Sequence, residues 1–141
     1  MMTATTGHTP DFDPTALLHT DADVLRRVDA LIDSTARISR SLWLFFLSGD
    51  GAQLPVVVPI DNLPPSPDPL MMGNVFSVVA GIITTEAPGG SAIVTLTRPG
   101  AGDVEPTDRP WLRTMQAAAR KRGAAIRMLC LATPAGVCEL R

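Results

Sequence analysis

The sequence predicts a single α/β domain of the α+β kind, built on a mixed sheet, and three observations carry that prediction. A continuous apolar run, Leu42-Trp43-Leu44-Phe45-Phe46-Leu47, is followed across Ser48-Gly49-Asp50-Gly51 by a second run from Leu54 to Ile60, which reads as a β-hairpin. A third strand, Ala92 to Thr97, lies between two stretches of helical periodicity and leaves through the Pro/Gly-rich loop Arg98 to Thr107. A closing hairpin joins Ile126–Leu131 to Gly136–Leu140. The order is α-β-β-α-β-α-β-β, and a hairpin combined with a strand reached through a helix requires a mixed sheet with helices against it.

Composition agrees with one core-forming unit. Of 141 residues 45% are hydrophobic and 18% charged, the latter below the roughly 25% usual for globular chains. A formal net charge of −2 gives no electrostatic reason to expect nucleic acid or an anionic membrane as partner. No stretch reads as the roughly 18 apolar residues that span a bilayer, and the N-terminus lacks a charged segment followed by an apolar run. A cytoplasmic location is the expectation. Eleven of the twelve basic residues are Arg, with Lys121 the exception, which suggests a GC-rich genome.

Met1 to His19 is dense in Thr, Gly, Pro and Asp without periodicity and reads as a flexible tail, with the domain running from Thr20 to Arg141. Both histidines, His8 and His19, fall in that tail. Thr20 is placed to cap a helix whose first turn carries Asp21 and Asp23. Its apolar stripe is Val24, Leu25, Val28, Leu31 and Ile32, expected to cover the domain's own sheet, with a second subunit as the alternative.

In the first hairpin the unbroken apolar character of Leu42 to Leu47 predicts burial on both faces. Pro55 and Pro59 push the second strand toward an edge or a bulge, because proline cannot donate to the ladder. Asp68-Pro69 then starts a helix that runs to about Glu86, with Met72, Val75, Phe76, Val79, Ile82 and Ile83 inward. Gly73 and Gly81 interrupt it, read as sites of close packing, and Ala87-Pro88-Gly89-Gly90 ends it. The last helix begins at Pro106–Pro110, buries Trp111, Leu112, Met115, Ala118 and Ala119, and ends at Gly123. Arg120-Lys121-Arg122 complements its dipole on a solvated face, which argues against reading the run as a nucleic-acid site.

Two cysteines, Cys130 and Cys138, are too few for a disulfide framework. If the closing turn is Thr133 to Gly136, so that Ala132 faces Val137, the thiols lie on opposite faces and cannot bridge; a one-residue slip changes that.

From Leu42 to Leu140 the layout resembles the RadC-type JAB/MPN (JAMM) domain, and its pattern is also similar to that of small actinobacterial proteins. In that family a strand ends in H-x-H-P-S-G-D-x-x-P-S-x-x-D before a helix and a final hairpin. Leu96-Thr97-Arg98-Pro99-Gly100 occupies the place of H-x-H-P-S, and Pro106-Thr107 resembles the later P-S. The resemblance implies a zinc hydrolase whose two histidines and aspartate bind the metal, with an upstream glutamate handling the proton of the activated water. This chain departs from that pattern at its centre. Leu96 and Arg98 replace the histidines, and the aspartate slot falls near Pro110, or on Asp108 if the longer loop shifts the register. Leucine cannot ligate zinc and an arginine repels it.

Four residues remain as candidate ligand-binding groups in the loop: Arg98, Asp103, Glu105 and Asp108. Arg98 has the chemistry to hold a carboxylate or phosphate, and the acids to hold a hard ion weakly; internal salt bridges, loop solvation and helix capping are the plainer roles. Gly100-x-Gly102 lacks the third glycine and helix spacing of a phosphate loop. The expectation is a pseudoenzyme without catalytic residues, metal or cofactor, a JAB-like interaction or regulatory module whose partner is a protein or a second copy. The alternative is a hydrolase or ligand-binding protein with an atypical site in the loop after Thr97.

Overall fold

The computed structural model describes Asp13 and residues 15–141. Helix α1 (Asp21–Leu31) is followed by a 3-10 turn (Ser34–Arg37), strands β1 (Ser41–Leu47) and β2 (Gln53–Ile60), and helix α2 (Pro69–Glu86). Strand β3 (Ser91–Thr97), a 3-10 turn (Pro106–Asp108), helix α3 (Arg109–Arg122) and strands β4 (Ile126–Thr133) and β5 (Gly136–Glu139) complete the chain. One mixed sheet results, in the order β2-β1-β3-β4-β5. Both hairpins and the β1–β3 pair are antiparallel, while β3 and β4, joined through α3, are parallel.

The sheet is covered on both faces because its middle strands are apolar on both. On one face Leu42, Leu44, Phe46, Val94, Leu96, Leu129 and Leu131 pack with Met72, Phe76 and Val79 of α2 and Trp111 and Met115 of α3. On the other, Phe45, Leu47, Ile93, Met128 and Cys130 meet Leu18 and Val24, Val28 and Ile32 of α1 or its C-terminal end. Thus α1 covers its own sheet. It starts as its sequence indicates: Thr20 Oγ1 accepts from Asp23 N at 3.1 Å while Asp23 Oδ2 accepts from Thr20 N at 3.0 Å, a reciprocal cap that satisfies two otherwise orphaned donors.

Strand β2 is an edge strand, as its prolines require. Ala132 stands opposite Val137 and Thr133 opposite Gly136, so Cys130 and Cys138 fall on opposite faces and both are free thiols. Gly123 caps α3 in the left-handed conformation, φ 68°.

Three expectations need correction. The stretch read as a free tail up to His19 is packed in part: Leu18 is buried and donates from its N–H to Gly51 O at 2.9 Å, and the Arg27 guanidinium binds Asp13 O at 2.7 Å and Ala16 O at 3.0 Å. Residues 1–12, including His8, and Pro14 lie outside the described residues. Second, Gly73 and Gly81 differ. A Cβ at Gly73 meets Arg122 Nη2 of α3 at 3.0 Å, the close approach expected, whereas one at Gly81 meets nothing within 4 Å. Third, α2 is 18 residues long, with Glu86 its one charged residue, and so passes a length-and-composition test for a membrane-crossing helix; Met72, Phe76, Val79 and Ile83 nevertheless pack into the domain core.

Gly90 has no room for a side chain, since a Cβ there falls 2.0 Å from Leu47 O. Thr20→Ala is expected to cost about 1 kcal/mol in urea-unfolding free energy through loss of the cap. Gly90→Ala is expected to cost more than Thr20→Ala in the same measurement, because the clash is with backbone.

Candidate functional site

The loop after β3 is organised by one side chain. Arg98 leaves the end of the buried strand, still tied to the ladder by its N–H to Ala132 O at 3.3 Å, and its guanidinium turns back into the loop, where only 2% of the residue is exposed. Nε donates to Asp108 Oδ1 at 2.7 Å and Nη2 to Asp108 Oδ2 at 2.8 Å, a bidentate pair. Nη1 donates to the carbonyls of Pro99 and Ala101, both at 2.9 Å, and Nη2 to that of Asp103 at 2.9 Å. A guanidinium has five N–H donors, and all five are engaged inside the loop. The residue type best suited to bind an external carboxylate or phosphate is thereby used up.

Asp108 is equally committed. It is fully buried, and besides the two bonds from Arg98 its Oδ2 accepts from Glu105 N at 2.8 Å, while its own N–H donates to Glu105 O at 2.9 Å. Burial by itself raises the Asp108 carboxyl. The hydrogen bonds from Arg98 and Glu105, with the positive charges of Arg98 and Arg40, outweigh it and hold the group below the usual carboxylate range. Hydrogen bonding to Asp108 likewise raises Arg98.

Of the four sequence-derived candidates, then, Arg98 and Asp108 form the centre. Glu105 is peripheral, half-exposed with its carboxylate 3.7 Å from Arg98 Nη2. Asp103 contributes its main-chain carbonyl to Arg98. Asp108, rather than the Pro110 position, faces Arg98 across the loop.

Sequence reading missed the surroundings. Thr97 Oγ1 donates to Ser39 O at 2.8 Å and pairs with the Ser41 hydroxyl, which takes the Trp43 indole N–H at 3.2 Å. Arg40 lies over the Trp111 ring, 5.8 Å from its centroid. The Trp111 indole donates to Pro65 O at 3.3 Å, binding the Pro64–Pro67 loop to the start of α3. Arg40 Nη1 is buried and makes no hydrogen bond among the described residues. Spacing along the chain gives no signal for these pairs, because Thr97 with Ser39 and Ser41, Arg40 with Trp111, and Trp111 with Pro65 join segments far apart in sequence. On the other side of the loop Cys138 Sγ sits 3.5 Å from Gly102 O. Burial raises both thiols, Cys130 to about 12.

No group of three metal-ligating side chains occurs among the described residues. No protein family, curated protein or solved structure matches this chain.

Removing Asp108 leaves a buried, unpaired guanidinium, so Asp108→Ala is expected to cost about 3–5 kcal/mol by chemical denaturation. Asp103→Ala is expected to stay within about 0.5 kcal/mol, because only its main chain takes part. Because the folded-state value for Asp108 lies below the unfolded value of about 3.9, its contribution is complete above that pH and disappears as pH falls through the folded value. Stability measured from about pH 5 downward is accordingly expected to fall less steeply in Asp108→Asn than in the parent. In the native protein at pH 8 Cys130 is expected to resist a thiol reagent and to react fully only after unfolding, read by peptide mapping.

Proposed function

We propose that this domain is a non-catalytic interaction or regulatory module with a JAB-like arrangement whose metal site has been replaced by an internal ion pair. The observation that carries the reading is the complete use of the Arg98 donors by Asp108 and three carbonyls. In the resemblance to the RadC-type family, Leu96 and Arg98 stand in the places of the two ligand histidines and Asp108 in that of the aspartate. A guanidinium then supplies the positive charge beside the carboxylate and closes the loop. Leu96, fully buried, adds to the core on the same side. What remains for function is surface, which makes a protein partner or a second copy the expected ligand, in a cytoplasmic setting.

Zinc titration followed by calorimetry is the test. The parent chain is expected to bind no stoichiometric zinc, while Leu96→His with Arg98→His is expected to gain one site together with Asp108. Stoichiometric zinc in the parent, or metal-dependent hydrolysis by it, would overturn the reading.

A second reading, a ligand-binding protein with an atypical site beside the loop, is favoured by the unpartnered Nη1 of Arg40 next to Trp111. It requires that phosphate or acetate change the tryptophan fluorescence of the parent and not of Arg40→Met.

A further inference from the structure

Helix α3 carries five basic residues, Arg109, Arg113, Arg120, Lys121 and Arg122, and no acidic one. All fourteen Asp and Glu of the chain lie outside it, with the other seven of the twelve basic residues. The net charge of −2 therefore averages a strongly positive helix with an acidic remainder. Arg26, Arg37, Arg98, Arg127 and Arg141 each pair with a carboxylate. None of the five on α3 makes an ion pair among the described residues.

Their positions sharpen the contrast. Arg109, Arg113, Gln116 and Arg120 recur at steps of four, three and four, which sets them along one side of α3, and all four are exposed, as are Ala117 and Lys121. Trp111, Met115 and Ala118 occupy the other side and are buried. The result is a straight cationic ridge about 16 Å long by the rise of an α-helix.

Helix stability explains only part of this ridge. Arg120, Lys121 and Arg122 complement the dipole in the last turn. Arg109 stands in the first turn, where a cation is disfavoured, and Arg113 follows it four residues on, where like charges repel. The first turn holds no acid to offset them, and nearby Glu105 is turned to Arg98, 3.7 Å from Nη2. Two arginines that oppose the local rules and pair with nothing in their own chain are suited to an anion outside it.

We propose that this ridge binds the phosphate backbone of double-stranded DNA without sequence preference. Three observations select that partner. The first is the character of the surface. A protein interface has an apolar core depleted in charge, whereas no large exposed apolar side chain lies on α3. A face charged along its length matches the more positive interfaces of nucleic-acid binders, and it offers an anionic membrane nothing to insert. The second is the aromatic residues. A single strand is held by bases stacked on aromatic side chains, and no described aromatic residue is exposed. The third is the form of a helix carrying cations in a row. The major groove of B-DNA, about 12 Å wide, admits a helix where that of duplex RNA is too narrow. The Arg98–Asp108 joint takes no part in the contact, so its metal-free character and DNA binding are tested separately.

The test is fluorescence anisotropy of a labelled duplex of about 20 base pairs and mixed sequence, titrated with the full chain between about 25 and 200 mM NaCl. With four phosphate contacts, from Arg109, Arg113, Arg120 and Lys121, the logarithm of the affinity is expected to fall with that of salt at a slope of about −3.6, and the dissociation constant at physiological salt to be about 10⁻⁴–10⁻⁶ M. Arg113→Gln with Arg120→Gln, which keeps a good helix former at exposed sites, is expected to weaken binding tenfold or more at about 50 mM NaCl and to flatten the slope by about 2, with unchanged circular dichroism. Arg26→Gln, on α1 across the sheet, is expected to leave both unchanged. Absence of binding at the lowest salt, or binding that the double variant does not weaken, overturns the proposal. So does equal or tighter binding of a single strand, of duplex RNA, of polyglutamate or of phosphatidylserine vesicles. Should the double variant fail to fold, Arg109→Gln with Lys121→Gln decides in its place.

Discussion

Strand β3 is buried on both faces from Ala92 to Thr97, and the placement of the other elements follows from covering it. A strand with apolar side chains above and below needs a layer on each side. One is supplied by α2 and α3, which pack through Phe76, Trp111 and Met115, and the other by α1 through Val24 and Val28. Its neighbours β1 and β4 inherit the same demand in weaker form, with Trp43 on β1 and Ile126 and Arg127 on β4 only half-buried. Toward the β2 edge the covering runs out. Strand β2 keeps Leu54, Val56, Val58 and Ile60 partly buried on one face and exposes Pro55, Val57 and Pro59 on the other.

The polar part of the structure is handled largely by arginine. Arg27, Arg37 and Arg98 are all nearly inaccessible; Arg27 and Arg98 gather main-chain carbonyls from irregular segments, and Arg37 gathers them from the C-terminal ends of α1 and β4. Arg37 binds the carbonyls of Ile32, Thr133 and Asp29, joining the end of α1 to the last turn of the sheet. Arg27 draws in the chain before α1 and also takes Gln53 of β2 at 2.6 Å. A planar guanidinium with five fixed donors suits this work, where an ammonium with three donors on a flexible stem does not. Buried carbonyls in irregular segments and at element ends need partners as much as those inside helices do, and these three side chains supply them for Asp13, Ala16, Ile32, Pro99, Ala101, Asp103 and Thr133.

Arg98 shows how the same device bears on function. At the C-terminal end of a central strand, where α/β folds commonly place ligands, it turns inward and spends its donors on its own loop. Asp108 stays charged because that guanidinium and the Glu105 N–H are in reach. That position is a structural joint, and exposed apolar side chains lie instead along α2 and the β2 edge, at Leu70, Val78 and Val57. In the proposed reading, activity has moved from a site within the domain to a face of it.

Much of the fold was legible in the chain because local rules decide local structure. The element order, the α1 cap at Thr20, the bounds of α2, the αL cap at Gly123 and the opposite facing of Cys130 and Cys138 follow from periodicity, capping chemistry and the two-residue repeat of strands. So did the edge position of β2, from its two prolines. Other features depended on contacts between distant segments. Leu18 is buried because Gly51 and Phe45 come to it. Gly73 is a close approach and Gly81 an open notch, although both interrupt one helix, because α3 passes the first and nothing passes the second. Sequence named Arg98, Asp103, Glu105 and Asp108 as one loop's worth of charge. Tertiary structure decided that Arg98 and Asp108 pair, that Glu105 stands aside and that Asp103 lends only a carbonyl. Residue types and spacing record which chemistry a chain possesses; which donors remain free depends on how the loop closes in space.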